Sequence, residues 1–211
     1  MIATPLKTPP AIFYPETDGK PVGETDIHIK QILNLLFMLS RFYHDDPQVY
    51  VAADLLFYYV EGDPKEFVVP DVFVVKGVPK GDRRVYKLWE EGRAPDVVFE
   101  ITSASTRRED LGSKKVLYAD LGFTEYFVFD PTSGLLHGFR LRNSEYQPIP
   151  SPLFSDSLGL ELRVQANRLR LYDPTTKTLL MTAEEEAAGR AASDEEIKRL
   201  KAEIERLKGK A

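Results

Sequence analysis

The sequence predicts an α/β domain, a mixed β-sheet flanked by helices, with a C-terminal helical tail. Three observations carry that prediction. Residues 96–129 read as strand, helix, strand; the stretch before them holds an amphipathic helix and two β-rich runs; and from Ala183 most residues are Ala, Glu, Lys or Arg. A chain of 211 residues buries on the order of 70% of its unfolded surface, enough for one substantial core and hardly two.

Residues 1–23 are rich in proline and turn residues and are expected to lie as an arm over a domain of residues 24–182. Glu24-Thr25-Asp26 supplies side-chain oxygens that accept the free N–H groups of a first helical turn. Ile29, Ile32, Leu33, Leu36, Leu39 and Tyr43 follow at three-to-four spacing, so a helix runs to about residue 44, where Asp45-Asp46-Pro47 ends it. The runs VYVAADLLFYYV and EFVVPDVFVV, with Gly62-Asp63-Pro64 between them, predict two adjacent antiparallel strands. Residues 76–94 read as a loop with a short helical turn.

Asp96 to Ile101 is nearly continuous in apolar character, the mark of a central strand. A helix is expected from about Arg107 to Leu121, closed by Gly122, and Glu125 to Phe129 is a further buried strand. The two strands then run parallel through a right-handed crossover. Short strands with hairpin connections continue to about Tyr172. In the tail, residues 183–211, Ile197, Leu200, Ile204 and Leu207 recur at 3-4-3 spacing among eight acids and seven bases. That is a solvated helix with a coiled-coil seam, too short to be a stable two-stranded coil alone.

Composition narrows the chemistry. There is no cysteine, which excludes disulfide scaffolds, thiol nucleophiles and Cys-ligated metals. The histidines are only His28, His44 and His137, too dispersed for a His-based metal site. Net charge is 28 − 33 = −5, so any polyanion must be met by a local patch. The N-terminal residues lack a signal-peptide pattern and the apolar runs are far too short to span a bilayer, so a soluble, cytoplasmic protein is expected. Gly112-Ser113-Lys114-Lys115 matches only the end of a phosphate-binding loop, without the leading glycine or the strand context.

What remains is a carboxylate constellation. Asp71 stands in an apolar strand directly after Pro70, and Glu100 near the end of the next core strand, after Val97, Val98 and Phe99. A charge in such a strand is costly unless paired or bound to a cation. Two hard oxygen ligands at one sheet edge suit Mg²⁺ or Mn²⁺. Asp110, Lys114 and Tyr118, at i, i+4 and i+8, share a helix face that could present Lys114 to a phosphate. Each has an ordinary reading as well: a buried strand acid is more often a satisfied structural group, and a helix face of this kind is more often a solvated ion pair. Asp54 divides evenly between a third acid of the site and a structural hydrogen bonder, and His28 suits helix packing better than ligation. By spacing alone the residues point no further than metal-dependent phosphodiester chemistry.

Pro70-Asp71-Val72, Val98-Phe99-Glu100-Ile101-Thr102-Ser103, Thr106-Arg107-Arg108 with Asp110, Lys114 and Tyr118, and then Gly122, Glu125-Tyr126 and Asp130-Pro131 occur in an order and spacing that is fairly specific. The stretch resembles the Uma-type endonucleases, a bacterial group long filed as a domain of unknown function, within the PD-(D/E)xK restriction-endonuclease-like superfamily. The similarity extends from about residue 20 to residue 175, and a charged helical tail is common in the group. The resemblance implies a restriction-endonuclease-like core, with Asp71 and Glu100 holding one or two divalent ions and a lysine assisting at the phosphate. The parent motif has lysine two residues after the glutamate, where this chain has Thr102; in this family the lysine role moves to the helix, at a position matching Lys114. Ala104 stands where relatives often have proline.

The implied activity is Mg²⁺-dependent hydrolysis of DNA; the alternative is a nuclease-fold protein that binds DNA or a protein partner without cutting. DNA is the expected partner, met by Arg107, Arg108, Lys114 and Lys115 on the helix and by Lys80, Arg83, Arg84 and Lys87 on the loop, with solubilising surface charge as the ordinary reading of both groups and an even match for the loop. A homodimer is a further expectation, with the tail as the element that mediates assembly.

Overall fold

The computed structural model describes residues 12–17, 25–103 and 106–208. The expectations for residues 1–11 and 18–24, and for Ala104, lie outside the described residues. The first helix, α1 (Asp26–Phe42), starts where Thr25 accepts the His28 N–H at 3.4 Å. Its three-to-four spacing buries Ile32, Leu35, Met38 and Leu39 on one side.

The β-rich runs form two nested pairs rather than one long hairpin. Their strands are β1 (Val49–Ala53), β2 (Phe57–Tyr58), β3 (Phe67–Val68) and β4 (Val72–Lys76). β1 pairs with β4 and β2 with β3, both antiparallel, and each pair enters a different sheet. The break falls at Asp54, whose φ of 48° no strand residue adopts. Asp54 is thus an exposed bend residue after β1, and Asp71 precedes β4, rather than either standing mid-strand.

The loop folds into β5 (Tyr86–Lys87), parallel to β2, and the single turn α2 (Leu88–Glu91). The strand–helix–strand unit follows as β6 (Val97–Ile101), α3 (Arg107–Asp110), α4 (Ser113–Asp120) and β7 (Glu125–Asp130), with β6 and β7 parallel. The helix expected over 107–121 is therefore broken at Leu111-Gly112. A Cβ on Gly112 would lie 2.6 Å from the Arg108 carbonyl oxygen, so only glycine passes there without displacing backbone. Gly122, at φ 78°, takes the left-handed turn after α4. Then come β8 (Leu135–Arg142), β9 (Glu145–Pro148), β10 (Phe154–Ser155), β11 (Leu160–Gln165), β12 (Arg168–Asp173), β13 (Thr178–Leu179) and α5 (Ala183–Lys208).

The main sheet has six strands in the order β1-β4-β6-β7-β8-β9, and only the β6–β7 pair is parallel. Strand alternation gives it two apolar faces. Val72, Val74, Val97, Phe99, Phe127 and Phe129 pack with α1 and with the leucines of β11 and β12. Phe73, Val75, Val98, Tyr126 and Val128 pack with Phe57, Tyr86, Tyr118 and Phe123 on the other side. A fully buried side chain of this size contributes roughly 1.5–3 kcal/mol, so β4, β6 and β7, buried on both faces, are the fixed frame of the fold. Among the described residues, no helix is long and apolar enough to cross a membrane.

Candidate active site

Sheet register brings three acids into one row. Ala53 pairs with Val72, and Val72 with Phe99. One step further along each strand stand Asp54, Asp71 and Glu100, where the Asp54 N–H donates to the Asp71 carbonyl at 3.3 Å. Asp71 Oδ2 accepts the Ile101 backbone N–H at 2.6 Å and lies 3.2 Å from His28 Nε2. α1 thus contributes to the site through His28, a partner of the acid rather than a residue of the α1 core.

Glu100 is 1% exposed on the β6 face that α4 covers. Its Oε2 accepts from Lys114 Nζ at 2.9 Å and its Oε1 from the Tyr118 hydroxyl at 2.6 Å. Asp110 is buried at the end of α3, and its Oδ1 lies 3.2 Å from the same ammonium yet receives no directed hydrogen bond. The Tyr126 hydroxyl donates to the Asp110 carbonyl at 2.9 Å and ties α3 to β7. Despite the break at Gly112, Asp110, Lys114 and Tyr118 keep their shared face toward Glu100.

The electrostatics follow from burial. Desolvation, reinforced by the charge of Asp71 and opposed by Lys114 and the Tyr118 hydroxyl, pushes the Glu100 carboxyl up to about 8. Burial alone would lower Lys114, but the carboxylates of Glu100 and Asp110 outweigh it and hold the ammonium above the usual lysine range. Tyr118 is held well above an ordinary phenol, first by burial and then by Glu100. Three carboxyl groups, Asp71, Glu100 and Asp110, stand around the ammonium of Lys114, with His28 beside Asp71. Few buried sites carry such an excess of carboxyl groups without a further cation. Asp71 and Glu100 have the hard oxygen donors that a divalent ion takes, and the buried, under-used Asp110 oxygen stands behind them, so the donor set fits Mg²⁺ or Mn²⁺. Among the described residues, no group of three or more His, Asp or Glu side chains is placed to hold a metal ion; beyond Asp71 and Glu100, water or substrate oxygens would have to complete the shell.

Other expected residues fall elsewhere. Thr102 is buried, and its hydroxyl faces Thr106 Oγ1 at 3.3 Å, holding the turn into α3 rather than Glu100. Arg107 pairs with buried Asp130 at the end of β7, and Arg108 is exposed beside it on α3. Lys115 turns onto the Phe139 ring, 3.7 Å from its centroid, away from the acids.

The loop bases do not gather at the site, which corrects that expectation. β4 carries the chain from Asp71 to Lys76, five residues or about 17 Å, so the loop begins at the opposite end of the sheet. There Lys80 donates to the Tyr43 and His44 carbonyls, and Arg83 grips Glu91 through Nε at 2.6 Å and Nη2 at 3.0 Å. Arg84 pairs with Glu16 at 2.7 Å, and Lys87 with Glu90 at 2.9 Å. Sequence reasoning missed the Ile101 N–H and the hold of Tyr126 on Asp110. A backbone donor carries no side-chain signal, and a tyrosine in a buried strand reads as core.

A mixed α/β sheet thus carries two acids at adjacent strand ends, with Lys114 of the crossover helix on one of them, Glu100, an arrangement that suits a nuclease-type core. The sequence comparison agrees. The model of the Uma2 family, described as "Putative restriction endonuclease", matches residues 14–171, and the chain belongs to that family. Among solved structures, a "putative nuclease belonging to DUF820" from Anabaena variabilis is similar at 16% identity and a TM-score of 0.47, covering 65% of this chain and 76% of that one. No curated protein matches the chain.

Proposed function

We propose that this protein is a divalent-metal-dependent endonuclease that hydrolyses DNA phosphodiester bonds. The observation that carries the reading is the convergence of Asp71, Glu100, Asp110 and Lys114 at the sheet end, in a member of a family described as "Putative restriction endonuclease". Asp71 and Glu100 would hold Mg²⁺ or Mn²⁺. When bound, such an ion supplies Lewis-acid polarisation of a phosphoryl oxygen and a more acidic water.

The chain's own residues do the positioning. Asp71 is oriented by the Ile101 N–H and by His28, and Glu100 by Lys114 and Tyr118. Lys114 donates to Glu100 and lies 3.2 Å from Asp110 Oδ1, and its side chain is 22% exposed, so a further N–H is within reach of a phosphate. Arg107 and Arg108, on α3 at the same sheet end, would meet the DNA backbone beside the site.

The test is incubation of purified protein with supercoiled plasmid and Mg²⁺ or Mn²⁺. Nicking or linearisation is expected, lost with a chelator and abolished in Asp71→Ala and Glu100→Ala variants of unchanged circular dichroism. Cleavage retained in both variants would overturn the assignment. Salt-sensitive DNA binding with neither cleavage nor Mn²⁺ uptake would establish a binding module on a nuclease fold instead.

A further inference from the structure

The tail carries a second piece of information, independent of the site. Its first turn is clamped to the domain. Thr182 and Glu185 form a reciprocal capping box at 2.9 and 3.3 Å, and Arg170 of β12 holds both Glu185 carboxylate oxygens at 2.8 Å. The next turns run beside α1, where Arg41 lies 3.8 Å from Glu186. Ile197, Leu200, Ile204 and Leu207 are 48–57% exposed and form one stripe, in a helix with no buried residue.

With Ile197 and Ile204 as heptad positions a, Leu200 and Leu207 fall at d, Glu196 and Glu203 at g, and Lys201 and Lys208 at e. β-branched a and leucine d residues favour two parallel strands. The flanking charges agree. In a parallel pair, each g residue faces the e residue of the following heptad on the other helix, so Glu196 meets Lys201 and Glu203 meets Lys208, in both directions. An antiparallel pair would set Glu against Glu and Lys against Lys. The existing contacts of these glutamates, to Arg199 at 2.7 Å and Arg206 at 3.9 Å, are exposed pairs within one helix and yield readily.

We propose that residues 196–208 pair with the same segment of a second copy of this chain as a parallel two-stranded coiled coil, bringing two nuclease cores to one end of the coil. Two heptads make a weak seam, so association should appear only as concentration rises. Sedimentation of the full chain from micromolar to millimolar concentration should show a shift from 24.0 kDa toward twice that mass.

Glu196→Lys with Glu203→Lys should raise the dissociation constant at least about ten-fold. Mixing that variant with Lys201→Glu/Lys208→Glu should restore pairing as a heterodimer. Orientation is read separately. The chain has no cysteine, so Leu207→Cys should form a disulfide-linked dimer under mild oxidation if the helices are parallel. Antiparallel pairing would set residue 207 opposite 197, about 15 Å from its twin. A single-chain mass at every concentration, a dimer indifferent to the charge reversals, or a dimer that fails to cross-link through residue 207 would each overturn the proposal.

Discussion

Glu100 and Glu125 are both buried glutamates, on neighbouring parallel strands, yet they stand at opposite ends of the sheet and in opposite circumstances. Glu125 opens β7 and is fully served. Arg140 reaches its Oε1 at 2.7 Å, the Ser155 hydroxyl and the Ser157 N–H reach Oε2, and the Asp156 N–H donates to Oε1. Glu100 ends β6 with one lysine that it shares with Asp110, one tyrosine hydroxyl, and a second carboxylate, Asp71, acting on it. Both acids interrupt apolar strands, so burial alone does not separate structure from function. What separates them is whether the protein supplies enough positive charge and enough donors by itself. Glu125 clips β7 to the β10 turn, whereas Glu100 has only a lysine that Asp110 draws on as well.

That contrast breaks first under substitution. Glu125→Ala strands Arg140 and three hydrogen-bond donors, and should destabilise by about 3–5 kcal/mol, toward the lower end because Asp156 also pairs with Arg140 at 2.6 Å. Glu100→Gln removes a charge that its surroundings disfavour. It should change stability by no more than about 1 kcal/mol while abolishing cleavage. Denaturant titration of both variants decides it, and equal destabilisation would erase the distinction. Next in size, Lys114→Met should lower the cleavage rate about 10²–10³-fold, measured under single-turnover conditions, because the ammonium paired with Glu100 is lost.

The difference sharpens with pH. Glu100 is raised to about 8 from an ordinary 4.5, so its protonated form is favoured in the fold. The stability it contributes is fully present below about pH 4.5 and is lost as pH rises through about 8. Melting of the metal-free protein should therefore decline across that window, and Glu100→Gln should flatten the decline. A divalent cation needs the ionised carboxylate, so added Mn²⁺ should stabilise more at pH 8 than at pH 6. The gain should approach about 2.7 kcal/mol at a hundred-fold excess over the dissociation constant. A Mn²⁺ effect unchanged by Glu100→Gln would place the ion elsewhere.

The frame of this site was legible in the sequence because its signals are local. The apolar run into Glu100, the glycine after α4 and the four-residue spacing of Asp110, Lys114 and Tyr118 all survive into the fold, the last even across the break at Gly112. What was not legible depends on register and distance. Asp71 meets Glu100 only because Val72 pairs with Phe99, and His28 reaches Asp71 across 43 residues of chain. Asp54 looked like a strand residue because β-propensity does not reveal a positive φ. The loop bases seemed near the site because sequence proximity to Asp71 hides the length of β4.

The smallest expected effect tests the finest point of the comparison, whether Glu100 is tuned by its tyrosine or only enclosed by it. The Tyr118 hydroxyl donates to Oε1 at 2.6 Å and favours the ionised carboxyl, while its ring stacks on Phe123 at 4.7 Å and fills the core. Tyr118→Phe keeps the ring and removes only the donor, so the stability cost should be about 1 kcal/mol where Glu100 is ionised, and less where it is protonated. Losing that donor raises Glu100 further. The pH-dependent decline in melting temperature should then shift to higher pH, and Mn²⁺ stabilisation should need a more alkaline medium to appear. A variant with the same pH profile as the parent would mean that the hydroxyl serves packing alone, and that burial and Asp71 by themselves set the charge state of Glu100.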